Sequence, residues 1–298
     1  MRILITGSNG LLGQKLVHKL KSDQEVELIA TARGENRLKN QGGYTYRSLD
    51  ITDSANVSAL ISEYKPEVVI NTAAMTNVDA CELEPEQCDR LNIDAVKYLI
   101  TACEQVDAHL VHISTDFIFD GKEGPYKEEA VPNPLSHYGA SKLTAEKLIS
   151  ESTISWSILR TVLVYGVAEE MSRSNIVLWA KGALEKGQKI NVVDDQYRTP
   201  TLAEDLADGC ILAAKQKARG IYNISGKDFM SILELVWQVA DFWNLDKSQI
   251  TAVSSTTLSQ PAKRPPKTGF VLDKAIKELG YNPHSFVEGL EVVKQQLA

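Results

Sequence analysis

The run Arg2-Ile3-Leu4-Ile5-Thr6-Gly7-Ser8-Asn9-Gly10-Leu11-Leu12-Gly13 decides the reading of this chain. Its first half is apolar and of strand length. Its second half is a T-G-x-x-G-x-x-G turn, after which Leu12, Leu16, Val17 and Leu20 recur on one helical face. A strand, a glycine turn and a helix in that order let backbone amides come close to a pyrophosphate, and the helix N-terminus adds partial positive charge. A glycine turn can also serve only to pack strand against helix. The strand–turn–helix context favours dinucleotide binding.

Working outward, the alternation continues. Strands are expected at Val26–Thr31, Tyr44–Leu49, Val68–Asn71 and Leu110–Ser114, and a final one at Trp156–Tyr165. Helices fall between them. One carries Val57, Leu60, Ile61 and Tyr64 and ends before Pro66; one long helix carries Leu91 to Cys103, with Cys88 on the same apolar face; another runs from about Ser136 to Ser150. The expected fold is α/β, a Rossmann-type doubly wound parallel sheet in residues 1–165. Beyond Gly166 the alternation loosens into a smaller C-terminal α/β lobe, 166–298, expected to bind substrate. Residues 190–225 are expected to return to the first domain, with Ile221–Ser225 rejoining its sheet.

Composition narrows the function. Of 298 residues, 43% are hydrophobic and 24% charged, which suits a globular chain with a real core and excludes disordered and fibrous classes. No apolar run reaches the ~18 residues of a membrane span, and the strand starts too early for a signal peptide, so a cytoplasmic location is expected. A net charge of −7 argues against wrapping a nucleic acid. Cys81, Cys88, Cys103 and Cys210 form no C-x-x-C pair and have no histidine at ligand spacing, so buried free thiols are expected and no metal.

The second strand ends Thr31-Ala32-Arg33, where an acidic residue would select NAD and an arginine suits the 2′-phosphate of NADP. Arg33, with Arg37 nearby, therefore favours NADP(H), with NAD(H) left open. Asp50-Ile51 and Asn71-Thr72-Ala73-Ala74 close the third and fourth strands and face the same crevice. The decisive constellation is Ser114-Thr115-Asp116 at a strand end with Tyr138 and Lys142 one turn apart on the next helix. A phenol with a pKa near ~10 exchanges protons poorly at neutral pH, and an adjacent ammonium is expected to draw it down. Tyr138 can then protonate a carbonyl oxygen that Thr115 also holds, as hydride reaches the carbon. His137 adjoins Tyr138 but points elsewhere on the helix and reads as structural.

These residues resemble the extended short-chain dehydrogenase/reductase superfamily. The stretch Ser114 to Gly121, with Tyr126, Pro134, Tyr138-Gly139 and Ser141-Lys142-Leu143, resembles its dTDP-4-dehydrorhamnose reductase family. Asn71–Asp79, Leu159-Arg160-Thr161, Asp195-Gln196 and Pro200-Thr201 extend the likeness over most of the chain. The resemblance implies a catalytic set of Thr115, Tyr138 and Lys142. It implies cofactor contacts at Gly7, Asn9, Gly10, Leu11, Leu12, Arg33, Asp50, Ile51, Ala73, Ala74, Tyr138 and Lys142. Substrate contacts would come from Thr76, Asp116, Phe117, Leu163 and Arg264. The substrate implied is a 4-keto nucleotide sugar, with a homodimer compatible.

Departures lie on the substrate side. Leu163 stands where the family often has a tryptophan against the sugar, Lys15 where some members have a Mg²⁺-binding glutamate between subunits, and Lys263 to Thr268 replace an R-R-P-x-N-S loop, with Lys267 in its altered half. No metal is expected. Two other readings stay open: a nucleotide-sugar epimerase or dehydratase with the same triad, and a non-catalytic NADP-binding regulatory subunit like that of methionine adenosyltransferase.

Overall fold

The computed structural model describes residues 1–170 and 174–298. Strand β1 (Arg2–Thr6) is followed by helix α1 (Leu11–Leu20), β2 (Glu27–Ala32), β3 (Thr45–Ser48), α2 (Ser54–Tyr64) and β4 (Val68–Asn71). Helices α3 (Val78–Leu83), α4 (Pro85–Asp89) and α5 (Ala95–Val106) come next, then β5 (His109–Thr115), α6 (His137–Ser150) and β6 (Trp156–Thr161). With the strand Gly220–Asn223 these form a seven-stranded sheet. Its order is Gly220–Asn223, β6, β5, β4, β1, β2, β3, and every pairing is parallel. The chain therefore switches direction of winding at β1, between β4 and β2, and that is where a doubly wound sheet opens a ligand crevice.

Both faces are covered. Ile3 and Ile5 of β1 pack with Leu16 and Val17 of α1 and with Leu206, Cys210 and Ala213 of the helix Ala203–Gln216. Leu4 points to the opposite face, toward a core with Val57 and Ile61 of α2, Val96 and Leu99 of α5, and Ala145 and Ile149 of α6. The strict alternation along β1 follows from the two-residue period of a strand, and burial on both faces explains why it reads as a continuous apolar run.

A second core gathers Tyr165, Val177, Leu184, Val192, Leu235, Val239, Phe286 and Leu290. Residues 190–225 do not return to the main sheet as a unit. Ile190–Val193 pairs in parallel with Ile250–Val253 in the second core's own small sheet, whereas the helix Ala203–Gln216 and the strand Gly220–Asn223 do return. The helix Asp273–Leu279 packs there as well, through Ala275 and Leu279.

Two expected elements are broken. The strand expected over Trp156–Tyr165 stops at Thr161, because Leu163 takes a left-handed conformation with φ of 40°. Thr201 holds that break by donating to the carbonyl oxygens of Val162 (2.6 Å) and Leu163 (3.3 Å), and Val164–Tyr165 then pairs with Thr201–Leu202 instead. The long helix expected through Cys88 and Cys103 is interrupted by a π-helical turn at Arg90–Asp94, so the two thiols belong to α4 and α5, both buried. Such turns often mark functional positions.

Candidate active site at the carboxyl ends of the parallel strands

The glycine turn leaves β1 with Gly7 at φ 74°, a conformation that a side chain disfavours. A Cβ on Gly13 would lie 2.3 Å from the Gly7 oxygen and 2.6 Å from the Ser8 Cα, so only glycine lets α1 seat against the turn. The N-cap of α1 is Gly10, and no side chain caps its first-turn amides. Ser8 Oγ is buried and has no hydrogen-bond partner among the described residues. Uncapped amides, a helix N-terminus and an orphaned hydroxyl in a cradle without side chains suit the phosphates of a dinucleotide.

The remaining expected cofactor residues lie in this turn, in the first turn of α1 and after β2, β3 and β4. Asn9 donates to the Glu35 carbonyl oxygen (2.7 Å) and accepts from the Arg37 amide (3.0 Å), pinning the loop after β2 to the turn. Arg33 is exposed in that loop. Asp50 follows β3; despite the opposing effect of partial burial, hydrogen bonds from Thr52 and the charge of Arg33 hold its carboxyl below the ordinary value. Ile51 beside it is buried. Ala73 and Ala74 follow β4, where a Cβ on Gly7 would be 2.8 Å from the Ala73 nitrogen. Leu11 and Leu12 are half-buried in the first turn of α1.

Thr115 ends β5, and Tyr138 and Lys142 lie on α6. Ser136 caps that helix by accepting from the Gly139 amide at 3.2 Å. A Cβ on Gly139 would sit 2.2 Å from the Phe117 oxygen, so glycine lets the start of α6 press on the turn Asp116–Ile118 that follows Thr115. The Phe117 and Tyr138 rings meet edge to face at 5.8 Å. Burial pushes the Tyr138 phenol well above its ordinary value, and a hydrogen bond with Thr115 opposes that push.

Lys142 directs its hydrogen bonds away from the phenol. Its Nζ lies 2.6 Å from the Ile113 oxygen and 3.0 Å from His112 Nε2, and burial pulls its ammonium down to about 8. His112 is completely enclosed and holds its other nitrogen 3.1 Å from Asn71 Nδ2; Asn71 Oδ1 in turn accepts from Thr6 at 2.6 Å. A neutral imidazole has one N–H. When Lys142 is an ammonium, Nε2 must accept from it, which puts the ring proton on Nδ1 facing the Asn71 amide. When the amine is neutral, Nε2–H can donate to it. The charge of Lys142, the tautomer of His112 and the orientation of Asn71 are thus coupled. His112 escaped the sequence reading because it sits in an apolar strand; the imidazoles of His109 and His112 in that run were the available signal. Asn92 was missed too. It exchanges hydrogen bonds with both backbone groups of Met75 (2.9 and 3.1 Å) and donates to Ser141 at 3.1 Å, tying the segment after β4 to α6.

The expected substrate residues fare differently. Phe117 is half-buried beside Tyr138, Thr76 is exposed, and Leu163 is wedged between the two cores. Asp116 is buried and already engaged: it accepts from Thr115 at 3.1 Å and from Thr268, and Arg198 Nε is 3.7 Å away. It is a tie within the protein and not a group facing the crevice. Arg264 forms a two-pronged ion pair with Asp79 at 2.7 and 3.1 Å. Lys15 bridges Glu204 and Gln296, each at 2.8 Å.

The sequence model of the RmlD substrate-binding domain matches residues 1–298. The chain belongs to the RmlD substrate-binding domain family. It lies within the extended short-chain dehydrogenase/reductase superfamily. It is 32% identical over 258 residues to methionine adenosyltransferase 2 subunit beta of Xenopus tropicalis, covering 85% of this chain and 75% of that one. It is 31% identical over 298 residues to the spore coat polysaccharide biosynthesis protein SpsK of Bacillus subtilis, covering 99% and 97%. Among solved structures, a dTDP-4-dehydrorhamnose reductase of Clostridium acetobutylicum superposes with a TM-score of 0.86 at 30% identity, covering 100% of this chain and 99% of that one. One from Bacillus anthracis, in complex with NADP, gives 0.85 at 28% identity and 99% coverage of both.

Proposed function

We propose that this RmlD-family protein is an NADPH-dependent reductase of the 4-keto group of a nucleotide-linked deoxysugar, with dTDP-4-dehydrorhamnose as the leading substrate. The observation that carries the reading is the placement of Thr115 at the end of β5 with Tyr138 and Lys142 one turn apart on α6, beside a glycine turn suited to a dinucleotide. The full-length likeness to dTDP-4-dehydrorhamnose reductases, one of them holding NADP, supports it. Gly7, Asn9, Gly10, Leu11 and Leu12 would hold the pyrophosphate side, Arg33 the 2′-phosphate, Asp50 and Ile51 the adenine, and Ala73 and Ala74 the ribose. When bound, the nicotinamide supplies hydride.

The protein's own groups handle the proton. Tyr138 donates it to the carbonyl oxygen, and Thr115 orients that oxygen by a hydrogen bond once its hydroxyl proton turns from Asp116 toward it. Lys142, now held by His112 and Ile113, swings from those partners toward the ribose and the phenol once a cofactor lies in the crevice, and its charge then lowers the barrier to proton loss. On the substrate side, Phe117 of the turn after β5 would lie against the sugar and Arg264, released from Asp79, on the nucleotide phosphates.

The likeness to methionine adenosyltransferase 2 subunit beta, together with Leu163 and Lys15, favours one second reading: an NADP-binding regulatory subunit. NADPH consumption with dTDP-4-keto-6-deoxy-L-mannose separates the two. Turnover in the wild type that is lost in Tyr138→Phe supports the reductase. Tight NADPH binding with no reduction of any 4-keto nucleotide sugar overturns it in favour of the regulatory subunit.

A further inference from the structure

Beside the catalytic helix the fold assembles a set of donors that no linear spacing reveals. Cys88 and Asp89 close α4, and His137 opens α6. Cys88 Sγ, a carboxylate oxygen of Asp89 and a ring nitrogen of His137 all lie within 4.8 Å of one another. Asp89 Oδ1 and His137 Nε2 are already 2.8 Å apart.

We propose that Cys88, Asp89 and His137 form a binding site for one borderline-soft divalent cation of the Zn²⁺ class, with a fourth position open to water. One thiolate, one imidazole and one carboxylate suit Zn²⁺ or Co²⁺ and exclude a Mg²⁺ or Ca²⁺ preference, which demands oxygen donors throughout. Tetrahedral bonds of about 2.0 Å to nitrogen and oxygen and about 2.3 Å to sulfur place the donor atoms roughly 3.3–3.6 Å apart. The Asp89–His137 contact therefore opens by about half an ångström, and the sulfur closes by at most about 1.3 Å. Both movements are side-chain rotations, since the Asp89 and His137 side chains are 43% and 30% exposed. That exposure also gives the ion its path in and its water.

The surroundings prepare the ligands. Asn92 donates to Cys88 Sγ at 3.3 Å and Ser141 Oγ lies 3.4 Å from it, which orients the sulfur. The His137 backbone amide donates to Glu82 at 2.9 Å, fixing the start of the helix, and Glu82 adds negative charge. Such outer partners tune a metal site. A bound cation would join α4 to α6 at the residue before Tyr138.

The test uses the full chain, stripped with a chelator, kept reduced with a phosphine and titrated with Co²⁺. The expected result is a thiolate-to-cobalt charge-transfer band in the near ultraviolet, with strong four-coordinate visible bands, saturating at one equivalent and bleached by Zn²⁺ but not by Mg²⁺. Cys88→Ser abolishes the charge-transfer band, His137→Gln weakens cobalt binding by at least ~10-fold, and Cys103→Ser changes neither. Absence of the band in the wild type, or its survival in Cys88→Ser, overturns the site. Should Cys88→Ser fail to fold, the more exposed His137→Gln decides, and unchanged cobalt affinity refutes the proposal. The readout is independent of reductase activity, so it stands or falls apart from the proposed reaction.

Discussion

Replacing Lys142 by methionine isolates the energy stored in the buried ammonium. Burial brings this group from the ordinary 10.5 to about 8, although the charges of Glu146 and Cys88 pull it upward. The unfolded chain thus binds this proton more tightly than the folded one. Below pH 8 both states carry it and the folded protein bears the full penalty. Between pH 8 and 10.5 the folded state loses the proton first, so the contribution of Lys142 to stability rises through that window. At about 1.36 kcal/mol per pH unit the gap amounts to roughly 3 kcal/mol. Lys142→Met has no such group. Urea unfolding of both proteins, stepped from pH 7 to about 10.5, should show wild-type stability climbing relative to the variant by an amount of that order, other titrations being common to both and cancelling. A difference that stays flat, or falls as pH rises, refutes the claim that the amine is held at an energetic cost.

Three further outcomes follow from named contacts. Gly13→Ala places a methyl against the backbone of Gly7 and Ser8, which cannot move aside; it should cost about 1–3 kcal/mol in thermal unfolding and weaken NADPH in a fluorescence titration. Glu146→Gln leaves the Arg160 guanidinium, buried with its Nε and Nη2 on that carboxylate at 3.0 and 2.7 Å, without its counter-charge, and urea unfolding should show a loss of about 3–5 kcal/mol. Arg264→Ala breaks a partly exposed ion pair, so stability should fall by less than about 1 kcal/mol. If the arginine clamps the nucleotide, KM for the sugar nucleotide rises roughly tenfold with kcat unchanged; an unmoved KM removes the clamp.

The parts legible in the sequence are those set by local rules. The glycine turn, the alternating elements and the one-turn spacing of Tyr138 and Lys142 depend on residues near each other in the chain. The rest depends on contacts that arrive from afar. Trp156 to Tyr165 reads as unbroken strand, and it is Thr201 that stops it. Apolar periodicity runs through Arg90–Asp94 without marking the π-helical turn, whose purpose shows only where Asn92 reaches Met75 and Ser141. Asp116 and Arg264 look available for substrate because their partners, Thr268 with Arg198 and Asp79, are far along the chain. Lys142 was expected beside Tyr138 because helical spacing says which face a residue shares, not which neighbour it chooses.

Asp116 would make the position of the paired strands Tyr197–Arg198 and Lys267–Thr268 a variable of the proposed chemistry. Its carboxylate is gripped by Thr115 on one side and by Thr268 and Arg198 on the other, and the strand Lys267–Thr268 is itself laced to Tyr197–Arg198. Any drift of that layer tugs on the hydroxyl that would aim the carbonyl. Substitutions around Thr268 that touch no sugar would therefore register as slowed turnover, mimicking damage to the catalytic residues. Changes of sugar preference would have to arise at positions outside this knot, because a lineage that retunes it loses aim along with fit.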